Sequence, residues 1–73
     1  MNQNNRVFLS DMKARLQERM HYENPDAAFD ALLYGWAKKF HHGTQWLSMV
    51  KKRNWVFVTF AEQFEAYCGY KIT

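Results

Sequence analysis

The chain has 73 residues, ten Lys plus Arg against seven Asp plus Glu, and a single cysteine, Cys68. That length allows one domain, a lone cysteine rules out an internal disulfide, and the lack of any run of about 18 apolar residues rules out a membrane-spanning helix. The formal charge of +3 admits a nucleic-acid or acidic protein partner without requiring one.

Stability must then come from packing alone. Six Phe, four Tyr and three Trp supply it, since each aromatic buries roughly 150–250 Å². Aromatics left outside would serve as interface anchors. The unpaired cysteine and the start MNQNNR, which lacks an apolar signal region, point to a reducing cytoplasm.

Taken in order, Met1 to Arg6 carry no apolar period, and residues 1–5 read as a mobile arm on a single domain. Val7 to Tyr22 reads as a helix with Leu9, Met12, Leu16 and Met20 on one face and Phe8 at its edge. Asn5 or Ser10 is its expected cap. Arg15 and Arg19 lie one turn apart beside the apolar stripe, as a solvated face or a basic docking ridge. Asn24 to Gly43 carries the strongest helix signals. Asn24 caps it, Pro25 fits its first position, Lys38, Lys39, His41 and His42 load its negative end, and Gly43 is the expected left-handed stop. Phe29, Leu32, Leu33, Trp36, Ala37 and Phe40 form its core stripe, while Ala28, Ala31 and Gly35 make a flank that another backbone could approach.

Thr44 is placed to cap a short third helix, Gln45 to Arg53, with Trp46, Met49 and Val50 inward. Trp55 to Val58 are β-branched or aromatic and read as extended. Thr59 and Glu62 have the spacing of a reciprocal capping box opening a last helix with Phe60, Phe64, Tyr67 and Cys68 inward, stopped by Gly69. The alternating tail Tyr70 to Thr73 is a candidate partner strand for residues 55–58. The expected fold is mainly α: a compact, monomeric bundle of about four short helices with one extended segment before the last.

Catalytic and cofactor signatures are missing. The three glycines are isolated, so no phosphate loop forms. His41 and His42 are adjacent and cannot share a helix face, which argues against a metal site. Cys68 sits on an apolar stripe and reads as an inert buried thiol. No enzyme, metal or cofactor is expected.

Two surfaces remain for a partner. Arg6 with the Arg15 and Arg19 ridge offers planar guanidinium forks suited to carboxylates of a protein. Lys51, Lys52 and Arg53 beside Trp55 would suit a phosphate backbone with a base stacked on the indole. Helix, Gly43 turn and helix also resemble a helix-turn-helix. In that alignment Lys39 stands where a small residue packs, His42 and Thr44 where apolar residues flank the turn, and Lys52 where one closes the core. Only Met49 matches. A small basic DNA-binding protein with a degenerate helix-turn-helix is therefore the second reading.

In size and character over its whole length, the chain resembles the small phage-encoded regulators that bind bacterial RNA polymerase. The reading of the chain as a protein-binding adaptor itself rests on a compact aromatic-rich body, a polar mobile arm, the Arg15 and Arg19 ridge and the lack of an active site, and no motif is shared with those regulators. The resemblance implies a small non-enzymatic protein that binds a polymerase subunit in the host cytoplasm and causes loss of promoter recognition during host takeover. It carries over no individual residue.

Overall fold

A computed structural model describes residues 5–71. The central helix follows its local signals. Helix α2 (Pro25–Lys39) opens with the Asn24 side chain accepting the Ala27 amide at 3.2 Å and with proline at its first position. Phe29, Leu33, Trp36 and Ala37 are buried along one face. Two features of its flanks are less local. Gly35 is where the Tyr67 side chain of the last helix approaches: a Cβ there would overlap the phenol, whose Cζ lies 3.2 Å away. Ala31, by contrast, is exposed, so the close approach falls on the glycine.

The stop of α2 differs from expectation. His41, not Gly43, takes the left-handed conformation, at φ 61°. The amides of His41 and His42 return to the carbonyls of Lys38 (3.3 Å) and Ala37 (2.8 Å), the paired bonds of a Schellman stop. Gly43 is extended at φ −72°, ψ 152° and stands before helix α3 (Thr44–Arg53) as its cap residue. Histidine is among the few non-glycine residues that enter the left-handed region with some frequency, and turning the chain at His41 carries the His42 ring in among Trp36, Trp46 and Phe60.

Helix α3 buries Leu47 and Val50 and half-buries Trp46, while Met49 is 45% exposed. The inward face is thus rotated from the one expected through Met49. Thr44 is the first helical residue rather than the cap, so no side chain caps α3.

The first helix starts later than its periodicity suggests. Arg6–Phe8 form a strand, β1, and helix α1 spans Leu9–Met20. Strand β1 pairs antiparallel with β2 (Trp55–Phe57), in the register Arg6 to Phe57, Val7 to Val56 and Phe8 to Trp55. The expected extended segment exists as Trp55–Phe57, with Val58 already helical, and its partner among the described residues is the N-terminal stretch. Tyr70 and Lys71 belong to no strand, and Ile72 and Thr73 lie outside the described residues, as do residues 1–4 of the expected arm. The physical reason is alternation. Arg-Val-Phe and Trp-Val-Phe each present one valine to the core, and Val56 is fully buried there.

Neither Asn5 nor Ser10 caps α1. Asn54, the left-handed residue that ends α3 (φ 66°), does so from across the fold. Its carbonyl accepts the Leu9 amide at 3.0 Å and its Oδ1 accepts the Ser10 amide at 3.2 Å, while its Nδ2 donates to Ser10 Oγ at 3.3 Å. At the other end, His21 turns left-handed and Gln17 exchanges two hydrogen bonds with the Tyr22 backbone. Helix α4 (Val58–Cys68) begins at Val58, one residue ahead of the expected cap Thr59, and carries no side-chain cap. Its last residue is followed, as expected, by a left-handed Gly69 at φ 81°. Ala61 and Phe64 are buried on it, and Phe64 meets Trp36 and Phe29 edge to face at 5.5 and 5.6 Å. The result is a mainly helical body of four helices with a two-stranded ribbon at one side.

Candidate partner-binding face

The ribbon is where the sequence-expected site residues meet. In a strand, successive side chains point to opposite faces. With Val7 and Val56 inward, Arg6, Phe8, Trp55 and Phe57 share the outer face. Phe8 is 48% and Phe57 41% exposed, although large apolar side chains are normally covered. The pattern differs from scattered surface leucines, since Phe8 pairs with Trp55 in the register and the Phe57 ring meets the same indole.

Two arginines converge on Trp55. The Arg53 guanidinium lies 3.9 Å and that of Arg6 4.5 Å from the indole centroid. The Phe57 ring meets the indole at 5.0 Å with an interplanar angle of 76°. Arg53 stands at the last turn of α3, and its Nε donates to the Trp55 carbonyl at 3.0 Å. That bond spends the Nε donor and leaves the Nη groups for recognition. A guanidinium stacked on an indole gains from the ring quadrupole and is held in a preset orientation. The face combines Trp, Phe and Arg, and Trp and Arg are the residue types that dominate the energetics of protein interfaces.

The structure thus joins Arg6, expected on one surface, with Arg53 and Trp55, expected on another. The remaining candidates go elsewhere. Arg15 and Arg19 are exposed on α1 and line an open hollow with Glu18 and Lys71. Lys51 forms an ion pair with Asp30 and sits 5.0 Å over the Tyr34 ring. The bond to Asp30 raises the Lys51 pKa. Lys52 is exposed. The basic run at the end of α3 is therefore split among three surroundings. Phe8 and Phe57 are not visible as a pair in the sequence, because the helical period of residues 7–22 places Phe8 at a helix edge. The signal that could have found them is the matched alternation of residues 6–8 and 55–57.

His42 also has a place that its sequence position did not show. Its ring stacks on Trp46 at 4.5 Å and its Nε2 lies 2.7 Å from Gln63 Oε1. The same oxygen accepts the Trp36 Nε1–H at 2.9 Å. An indole nitrogen only donates, so the Gln63 atom must be the oxygen, and His42 must donate through Nε2. The ring is a structural post between α2 and α4. Cys68 is half-buried, and desolvation pushes its thiol up to about 11. Among the described residues, no three His, Cys, Asp or Glu are grouped to hold a metal ion, and no helix is long and apolar enough to cross a membrane.

Set against protein-family models, curated proteins and solved structures, the chain matches none.

Proposed function

We propose that this chain is a small regulatory protein without catalytic activity that works by binding a larger protein, and that the outer face of the ribbon is its contact surface. The observation that carries this reading is the exposed aromatic pair Phe8 and Phe57 set around an indole stacked by Arg6 and Arg53. The resemblance in size and character to phage regulators of transcription makes a subunit of bacterial RNA polymerase the partner to test first. Nucleic acid is the second reading. It is favoured by the basic charge, but Trp55 is already contacted by two guanidiniums and a phenyl edge. A base could stack there only by displacing one of them.

The test is titration of labelled protein against purified, nuclease-treated polymerase, followed by promoter-dependent transcription. Phe8→Ser with Phe57→Ser should weaken binding by about tenfold or more, since an interface anchor contributes over 1 kcal/mol. Both side chains are substantially exposed, so the circular dichroism spectrum should not change. If Arg15→Ala with Arg19→Ala abolishes binding and the ribbon variant does not, the contact surface is α1. If duplex DNA binds instead, with affinity falling about 0.9 decades per decade of salt for each phosphate neutralised, the DNA reading replaces this one.

A further inference from the structure

The ribbon face also indicates the chemistry of what it binds. We infer that it takes a protein segment carrying carboxylates on either side of an apolar side chain; this rests on the reading of the ribbon as a protein-binding surface. The four ribbon positions form a square, Arg6 beside Phe57 and Phe8 beside Trp55. Arg53 closes it from the end of α3. The apolar centre is Phe8, Trp55 and Phe57, and the charged positions are both cationic.

Two like charges held on one ring repel each other, and the repulsion is relieved when a carboxylate approaches each of them. Guanidiniums suit that role because they present paired donors in the plane of a carboxylate. The anchored Arg53 is preset for it: its Nε bond to the Trp55 carbonyl fixes the fork before any partner arrives. Preorganisation of this kind lowers the entropy cost of binding.

Charge decides between occupants. A second copy of this chain would bring arginines onto arginines, and the whole molecule carries +3, so self-association through this face is disfavoured. A phosphate chain would satisfy the arginines but would leave Phe8 and Phe57 to stack on bases with the indole between them already occupied. An acidic segment with an apolar centre satisfies both halves of the face at once.

The experiment is amide NMR of the full chain titrated with three probes: a peptide of alternating glutamate and leucine, its glutamine–leucine counterpart, and oligothymidylate. The glutamate peptide should shift the amides of residues 6–8 and 53–57 and bind about tenfold or more tighter than the glutamine peptide, as charge-assisted bonds are roughly twice as strong as neutral ones. Phe8→Ser with Phe57→Ser should weaken both peptides. Arg6→Lys with Arg53→Lys keeps the charge but removes the forks, and should shrink the difference between them. Equal affinity for the two peptides overturns the inference, as do shifts confined to other residues. Tighter binding of oligothymidylate to the same amides, or concentration-dependent shifts of those amides without any probe, overturns it in favour of nucleic acid or a dimer.

Failure here is separable from failure of the regulatory reading. If polymerase binds and the glutamate and glutamine peptides are not distinguished, the carboxylate chemistry is wrong and the regulator stands. If the peptides behave as expected and polymerase does not bind, the surface stands and the partner is another protein.

Discussion

Asn54 joins two helices and the ribbon, and its replacement should separate three contributions. It ends α3 in the left-handed region, accepts the Leu9 amide through its carbonyl, and accepts the Ser10 amide through its side chain. Asn54→Gly keeps the backbone conformation and the carbonyl bond but removes the side-chain cap. The cap bond is exposed to water, which places its loss in the lower part of the usual range for capping, about 0.5–1 kcal/mol. Asn54→Ala loses the same cap and keeps a Cβ in the left-handed region, whereas glycine sheds that Cβ and its penalty of about 1–2 kcal/mol. Alanine should thus destabilise by about 0.5–1 kcal/mol, and glycine should be about 1–2 kcal/mol more stable than alanine, against a total stability of roughly 4–11 kcal/mol for a domain of this length. Asn54→Asp retains the acceptor and adds a negative charge near the positive end of α1, so it should stay within about 0.5 kcal/mol of the parent. Urea unfolding followed at the far-ultraviolet helix band measures all three. If alanine and glycine cost the same, no left-handed strain is released. If alanine costs nothing, α1 does not depend on a cap from across the fold.

Further substitutions test other joints. Gly43→Ala should change stability by less than about 0.5 kcal/mol, because Gly43 is extended with open space around it, whereas a left-handed site would cost about 1–2 kcal/mol; His41→Gly should instead stabilise, and thermal melts read both. Gly35→Ala should destabilise by about 1–3 kcal/mol through overlap with the Tyr67 phenol, and less in a Tyr67→Phe background, where the nearest atom is gone; an equal loss in both backgrounds would remove Tyr67 as the cause. The Cys68 pKa is raised in the folded chain, so the native state holds that proton more tightly: its contribution is intact below pH 9 and is lost as pH climbs towards about 11. Cys68→Ala should flatten that part of the stability profile, and the parent thiol should alkylate slowly until the chain unfolds.

The central helix was legible because its signals lie within it. A cap, a proline at the first position and an apolar stripe all fall inside some fifteen residues, and the helix they describe is α2. The parts that were not legible depend on distant residues. Nothing near Leu9 announces that its helix begins there, since the capping group is Asn54, 44 residues from Ser10. The strand at Arg6–Phe8 is too short to have a periodicity of its own and is defined only by its pairing with 55–57. Gly43 and the Thr59–Glu62 pair show the opposite error, where a strong local motif was present and the fold did not use it. At Gly43 the packing of His42 between Trp46 and Gln63 moved the turn two residues earlier. At the binding face the aromatic and basic residues were visible as types. Their convergence was not, because it depends on the ribbon register.

The ribbon has a consequence for how the molecule is made. Its two strands lie near opposite ends of the chain, with three helices between them. During synthesis from the amino terminus, Arg6–Phe8 emerge long before Trp55–Phe57 exist, and a loop spanning most of the chain must close before they meet. Helix α2 has its own cap and stop and can form while α1 still awaits Asn54. The surface that gathers Arg6, Arg53 and Trp55 is therefore among the last features to be completed. A nascent chain halted before Asn54 would carry a folded-looking central helix and no aromatic–arginine face, so binding competence reports that synthesis has passed the second strand of the ribbon.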